Sequence, residues 1–116
     1  MALTISTKTY SFDTNPTPDS ALYTGPAKTS TIKDNVIIKR VAPKPTKDYG
    51  GVVRCSEKTV KTVLINGIAR DLIAETTFNY PAQALQADVT ALRVDHSNLV
   101  ANAATQTLVD NGKISY

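Results

Sequence analysis

Apolar and polar residues alternate along roughly the first two thirds of the chain, a period of two that is typical of β-strands. Thr, Val and Ile are common in this part, and helix-forming residues are few. The pattern predicts one or two short strands within residues 2–14, followed by strands at 21–24, 29–41, 52–64 and 69–80.

Breaker residues separate these predicted strands. Residues 15–20 form a dense turn cluster, and the two prolines at 43 and 45 exclude a helix between the longer strands. Asn66-Gly67, flanked by apolar residues, is a strong signal for a two-residue hairpin. Short connections of this kind predict an antiparallel sheet.

The hydrophobic period changes after Pro81. Apolar positions then recur mostly at steps of three, four and seven residues, the signature of an amphipathic helix. Pro81 suits a first helical turn, and Asn111-Gly112 suits a stop. A break at Asn102 or within the run 95–98 would divide the segment into two helices.

Strands followed by helices predict an α+β fold: an N-terminal hairpin and an antiparallel sheet of about five strands, then one or two C-terminal helices. We expect one domain over residues 1–116, with the sheet in 1–80, helices in 81–110 and a tail in 111–116. One or two helices cannot cover five or six strands. We therefore expect two copies to join their sheets edge to edge and to cross their helices, which also removes an exposed edge strand.

Charge is concentrated in the centre of the chain. Residues 28–61 contain nine of the thirteen Lys and Arg residues and three of the ten acidic residues, a formal charge of +6, although the whole chain carries only +3. A positive field on ordered strands suits a polyanion, most commonly nucleic acid. A solvated basic face without a partner is the alternative reading of the same charges.

The residues needed for catalysis or metal binding are sparse. His96 is the only histidine, and its neighbours Asp95 and Ser97 cannot face it on a helix. Cys55 is the only cysteine, so neither an intrachain disulfide nor a cysteine-based metal site is expected. The sequence shows no phosphate-binding glycine loop, signal peptide or membrane-spanning stretch. We expect no enzyme activity, cofactor, metal, small-molecule substrate or membrane partner.

The basic strands offer more chemistry. Alternation places Arg54, Ser56 and Lys58 on one face of their strand. Lys39 and Arg40 must point to opposite faces, and the sequence does not decide between the two. A sheet face that bears Lys, Arg, Ser, Thr and Asn can hold RNA through phosphate and base contacts.

The run from Lys39 to Arg54, with its Pro-Lys-Pro-Thr core, resembles the coat proteins of single-stranded RNA bacteriophages of the levivirus group. Tyr23-Thr24-Gly25-Pro26-Ala27 before it, Lys58-Thr59-Val60-Lys61-Thr62-Val63 after it and a tail ending in Ile114-Ser115-Tyr116 extend the resemblance over most of the chain. The resemblance implies an RNA-phage coat-like fold and interlocked dimers with a ten-stranded sheet. It also implies assembly into an icosahedral shell with the sheets facing the genome and the helices facing outward.

The same resemblance implies a function and a site. The chain would be a virion capsid protein, assembled in the cytoplasm of the bacterial host, that packages genomic RNA on its inner sheet face. Some family members also repress translation, so a repressor role for this chain is a further expectation. By strand position the RNA-binding residues would be Lys33, Lys39, Arg54, Ser56, Lys58, Glu75 and Thr77. Asn66 and Gly67 would make contacts between dimers. A small non-viral dimeric regulator that binds nucleic acid is the alternative function.

Overall fold

The computed structural model describes residues 2–5 and 7–114. The chain divides into two compact units, Met1–Ala82 and Gln83–Tyr116. The first unit contains all the strands and the second contains both helices. This division lies close to the predicted change from sheet to helix at residue 81.

The first unit is one antiparallel sheet whose strands are neighbours in chain order. Its six strands are β1 (Ala2–Ile5), β2 (Lys8–Thr14), β3 (Ser20–Thr24), β4 (Asp34–Val41), β5 (Val52–Ile65) and β6 (Ile68–Pro81). The N-terminal hairpin of β1 and β2 continues the sheet, so five strands from β2 to β6 are extended by a short sixth. The predicted fold class is confirmed.

Two predicted boundaries are wrong for local reasons. The strand predicted at residues 29–41 begins at Asp34 instead of Thr29. The Thr29 hydroxyl accepts the backbone N–H groups of residues 31 and 32 and closes a turn there. Pro81 ends β6 and does not start a helix. A proline is tolerated at that end because a strand terminus at a sheet edge does not require its missing N–H group.

The β5–β6 hairpin turns at Asn66 and Gly67 as predicted. Both residues have left-handed backbones, with φ angles of 53° and 79°, as a type I′ turn requires. β4 pairs with β5 only from Asp34–Lys61 to Val41–Arg54. The turn end of the hairpin therefore extends past β4 as a two-stranded ribbon.

The main buried cluster of the sheet is small and lies on one face, and the buried Val60 lies on the other. Tyr10, Tyr23 and Val36 form the cluster, with Leu3 and Ala21 packed against them. Strand register explains this grouping, because directly paired residues point to the same side: Leu3 pairs with Tyr10, and Tyr23 pairs with Val36. We call this side of the sheet the core face.

The second unit contains α1 (Gln86–Val100) and α2 (Ala103–Asn111). Asn102 is the break: its side-chain oxygen accepts the Ala104 N–H at 2.9 Å and caps α2. Gly112 closes α2 with a left-handed φ of 66°, as the predicted stop requires. The helices therefore span residues 86–111 and not 81–110. Of the predicted tail, Ser115 and Tyr116 lie outside the described residues.

Candidate nucleic-acid interface

Strand register brings most of the predicted RNA-binding residues together. One row across β4, β5 and β6 is Lys39, Ser56 and Thr77. The adjacent rows are Ile37–Lys58–Glu75 and Val41–Arg54–Asn79. Because paired residues share a side and alternate residues along a strand return to it, these nine residues lie on one surface, opposite the core face. We call this surface the polar face.

Lys33 reaches the polar face from the turn before β4. Its ammonium lies 3.3 Å from an Asp71 carboxylate oxygen, and its backbone N–H donates to the Thr62 hydroxyl. Thr62 and Asp71 are paired between β5 and β6, on the polar-face side of the alternation. All seven predicted RNA-binding residues therefore lie along one side of the sheet.

The register also decides the orientation of Lys39 and Arg40, which the sequence left open. Lys39 pairs with Ser56 on the polar face, whereas Arg40 pairs with Cys55 and lies on the core-face side. Arg40 forms an ion pair with Asp19 at 3.2 Å. Only Lys39 of these two neighbours can contribute charge to the polar face.

The charge of Lys33 is largely compensated. Its partner Asp71 accepts a hydrogen bond from the Thr62 hydroxyl at 2.8 Å and another from the Lys33 ammonium. These bonds, first that from Thr62 and then that from Lys33, lower the pKa of Asp71 below its ordinary value of 3.8. Lys33 therefore adds little positive charge to the polar face while Asp71 is ionised.

Three cations of the polar face have no ion-pair partner within residues 2–5 and 7–114: Lys39, Arg54 and Lys58. We call these three residues the basic cluster. Lys39 and Arg54 are exposed, and Lys58 is half-buried opposite Glu75 in the register. Arg54 and Lys58 are about 14 Å apart along β5, since a strand rises about 3.4 Å per residue. The cluster can meet several phosphates of one nucleic-acid strand.

The remaining basic residues of the central segment are not on this surface as a group. Lys28 pairs with Asp13 at 3.8 Å, and Lys61 pairs in register with the buried Asp34 on the core-face side. Lys44 and Lys47 lie in the connection between β4 and β5. The formal charge of +6 is thus divided between two faces and a loop, and sequence position alone overstated its concentration.

Two residues near the basic cluster were not among the predicted ones. Asn79 pairs with Arg54 and adds an amide to the polar face. Its odd position in the last strand, shared with Glu75 and Thr77, was the signal that could have identified it. Tyr49 lies in the β4–β5 connection, and nothing in the strand alternation pointed to it.

A single chain leaves much apolar surface uncovered. The described helical residues include no buried side chain, and Leu99 and Val109 are 56% and 74% exposed. β6 is the last strand of the sheet and has a neighbour, β5, on one side only. Its core-face residue Leu72 is 54% exposed. Exposed apolar surface of this extent is typical of protein–protein contacts.

Other chemistries find little support in the described part of the chain. It contains no group of three His, Cys, Asp or Glu side chains placed to hold a metal ion. Neither α1 nor α2 has the length and hydrophobicity needed to cross a membrane. His96, the only imidazole, is half-buried within α1.

Comparison with known proteins matches the fold and gives no match by sequence. No family model and no curated protein matches the chain. The subunit in the virus-like particle of Beihai levi-like virus 32 is similar over 96% of this chain and 91% of its own, with a TM-score of 0.76 and 22% identity. That of Wenzhou levi-like virus 4 covers 98% of this chain and 82% of its own, with a TM-score of 0.80 and 18% identity.

A third similar structure is the virus-like particle of bacteriophage GQ-907, with a TM-score of 0.81 and 13% identity over 97% of this chain and 88% of its own. At such identities the likeness is one of fold. The resemblance read from the sequence is confirmed at that level: the chain has the fold of subunits from levi-like virus particles.

Proposed function

We propose that this chain is the coat protein of a single-stranded RNA bacteriophage, a structural subunit and not an enzyme. The observation that carries the proposal is the match to subunits of virus-like particles, which extends over nearly the whole of this chain and over most of each partner. Little of the chain is left over for an additional domain. The location that follows is the virion, after assembly in the cytoplasm of the host cell.

The assembly unit in this proposal is a homodimer. β6 offers fourteen residues of strand whose outer edge has no neighbouring strand among those described, and such an edge is a template for pairing with another chain. Two copies joined at β6 would form a twelve-stranded sheet, of which the β2–β6 strands supply the expected ten. The exposed apolar residues of α1 and α2 would then have a partner sheet to cover.

The turn of the β5–β6 hairpin is a second contact between copies in this proposal. Asn66 and Gly67 lie at its tip, and the neighbouring Leu64, Ile65 and Ile68 are all more than half exposed. The turn has only two residues, so the apolar residues beside it offer more contact area than Asn66 and Gly67 themselves. We expect this ribbon to meet other dimers in the shell.

RNA packaging on the polar face is the third part of the proposal. The basic cluster supplies cations without ion-pair partners in the described part of the chain, and Ser56, Thr77 and Asn79 supply hydrogen-bonding groups between them. Phosphate contacts of this kind give affinity without sequence preference. The Glu75 carboxylate would repel a phosphate, so its role in this proposal is to accept hydrogen bonds from bases. The polar face thus supports general packaging, and a translational-repressor role would need recognition of one RNA hairpin.

Expression of the full chain in bacteria tests the coat-protein proposal directly. Purified protein should contain round particles in electron micrographs and a megadalton species by light scattering, with RNA extractable from that species. A stable species near 25 kDa, about twice the 12.5 kDa of one chain, would instead support a small dimeric regulator. A monomer of 12.5 kDa would contradict both functions.

A further inference from the structure

A cavity at one end of the polar face combines an aromatic ring with two cations. Its volume is about 350 Å³, within the range of pockets that bind small organic groups. Val41 and Val52 contribute apolar walls, and Tyr49, Lys44 and Arg54 also line it. Val41 and Arg54 are paired residues of the polar face, so the cavity opens on the side that bears the basic cluster.

The backbone of the β4–β5 connection fixes the position of Tyr49. Thr46 and Tyr49 form an isolated antiparallel bridge, in which the Thr46 N–H donates to the Tyr49 carbonyl at 2.7 Å. Gly51 has a left-handed φ of 86°, and a Cβ atom there would lie 2.7 Å from the Lys44 backbone nitrogen. The Gly51 carbonyl accepts the Ala82 N–H at 2.9 Å. The connection is therefore folded back on itself and held at both ends, although it contains ten residues.

Tyr49 is 46% exposed in this ordered position. An exposed aromatic ring beside lysine and arginine side chains is the combination with which proteins bind single-stranded nucleic acid: the ring stacks on a base and the cations meet the adjoining phosphates. An apolar small molecule would leave Lys44 and Arg54 without counterions, whereas a nucleotide satisfies both the ring and the charges. Charge complementarity thus favours a nucleotide as the occupant.

We propose that this cavity is a base-binding subsite, in which Tyr49 stacks on an unpaired base of RNA and Lys44 and Arg54 hold the phosphates on either side of it. The inference rests on the proposed RNA-packaging function and adds to it a contact with a base, outside the sheet surface itself. Stacking does not discriminate strongly among bases, so the subsite binds unpaired nucleotides of any sequence.

Photo-crosslinking tests the subsite in the assembled protein. Particles are purified from bacteria whose RNA carries 4-thiouridine, irradiated and digested with trypsin, and nucleotide adducts are located by mass spectrometry. The peptide 48–54 contains Tyr49, and we expect an adduct on that residue. Tyr49→Phe keeps a ring for stacking and should retain the adduct on this peptide. Tyr49→Ala should lower the yield on this peptide about tenfold, in line with the energy of one base–aromatic stack.

The total RNA content of the particles separates this inference from the proposed function. Tyr49→Ala removes no charge, and the backbone hydrogen bonds of residues 46 and 49 do not need the ring, so its particles should still form, and their adduct yield is expressed per nucleotide of packaged RNA. An equal adduct yield in Tyr49→Ala, or RNA-filled wild-type particles without an adduct on peptide 48–54, would overturn the subsite alone. Wild-type particles free of RNA would overturn both the subsite and RNA packaging.

Discussion

The Tyr10 hydroxyl donates a hydrogen bond to the carboxylate of Asp34, joining β2 to the start of β4 with oxygen atoms 3.2 Å apart. Both residues are buried, each with 3% of its surface exposed. The second Asp34 oxygen accepts the Ala27 N–H at 3.2 Å, and the Asp34 carbonyl accepts the Gly25 N–H. One side chain therefore holds together the small core and the turn that follows β3.

Tyr10→Phe should destabilise the protein by about 1 to 2 kcal/mol, because it leaves one oxygen of a buried carboxylate without its donor while the ring still packs. The free energy of unfolding in urea, measured at one fixed protein concentration, checks this. Tyr80→Phe is the matched control, since the Tyr80 hydroxyl has no hydrogen-bond partner among the described residues. Equal effects of the two substitutions would contradict the role of the Tyr10–Asp34 bond.

The same pair predicts a specific loss of stability in alkali. Burial first, and then the charge and hydrogen bond of Asp34, raise the pKa of Tyr10 above its ordinary value of 10.0. The unfolded chain therefore releases this proton at a lower pH than the folded one, so the contribution is complete below pH 10 and declines above it. The difference in unfolding free energy between wild type and Tyr10→Phe should shrink as the pH rises past 10. A constant difference would contradict it.

Local signals were sufficient for much of this fold. Asn66-Gly67 specified its hairpin because both residues accept left-handed backbones. Asn102 was one of two candidate helix breaks in the sequence, and its amide caps α2. The two wrong boundaries, at Thr29 and Pro81, also have local causes, but these compete with a continuing pattern of apolar residues. Alternation shows that a strand is possible, and hydrogen bonds from side chains such as Thr29 decide where it begins.

The candidate site depended more on distant pairing. Arg54, Ser56 and Lys58 were grouped correctly because they share one strand and one period. The orientation of Lys39 needed the β4–β5 register, and the ion pair that compensates Lys33 joins residues 38 positions apart. Such contacts leave no local signal. Tyr49 was missed for the same reason, since only the folded connection brings it to the polar face.

The two glycines of the connections predict different costs of substitution. Gly67→Ala introduces a side chain at a left-handed φ of 79° with open space around it, which should cost about 1 kcal/mol. Gly51→Ala adds to the same kind of strain a contact of 2.7 Å with the Lys44 backbone, which cannot move aside as a flexible side chain would. We expect Gly51→Ala to cost at least about 1 kcal/mol more than Gly67→Ala.

Parallel urea unfolding of the two variants and wild type measures this difference. The left-handed positions of a two-residue turn accept Asn as well as Gly, so Gly67→Asn should recover part of the loss of stability. Gly51→Asn should recover none, because its Cβ atom meets the same backbone. A smaller cost for Gly51→Ala than for Gly67→Ala would show that the β4–β5 connection relaxes, and would weaken the argument that it positions Tyr49.

Thr62→Val should raise the pKa of Asp71. The hydrogen bond from the Thr62 hydroxyl is the largest single cause of the lowered Asp71 pKa, ahead of the hydrogen bond from the Lys33 ammonium, and valine keeps the shape of the side chain without the donor. The Asp71 carboxyl signal in a ¹³C NMR titration should then move toward its ordinary pKa of 3.8. A carboxyl pKa that is lower in the folded state stabilises the fold at pH values above the ordinary pKa, and this stabilisation is lost as the pH falls through the folded-state pKa. The variant should therefore lose less stability in acid.

Lys33→Gln is the companion variant for this network. It removes the second-largest cause, the hydrogen bond from the ammonium, together with the smaller effect of the Lys33 charge, so it should also raise the Asp71 pKa. Thr62→Val also leaves the Lys33 backbone N–H without its acceptor, so we expect a pH-independent cost of about 1 kcal/mol in that variant alone. An unchanged Asp71 pKa in Lys33→Gln would contradict the contribution of the Lys33–Asp71 ion pair.

The double variant Arg54→Gln/Lys58→Gln should weaken RNA binding without unfolding the protein. Both side chains lie on the polar face without ion-pair partners in the described residues, so their loss breaks no internal ion pair there. Each phosphate contact with single-stranded RNA contributes about 0.7 to the slope of log affinity against log salt concentration. Binding of unassembled protein to a short oligouridylate should therefore lose about 1.4 from this slope, and particles should contain less RNA.

Lys8→Gln/Lys113→Gln provides the matched control for that experiment. It removes the same amount of charge from elsewhere in the protein. Lys8 lies on the same side of β2 as Tyr10 and Phe12, which is the core-face side, and Lys113 lies beyond α2. If the polar face binds RNA, this control should keep most of the wild-type slope and RNA content, since its charges act only at a distance through screening salt. Equal losses in both double variants would mean that net charge alone drives packaging, and the assignment of RNA binding to the basic cluster would then fail.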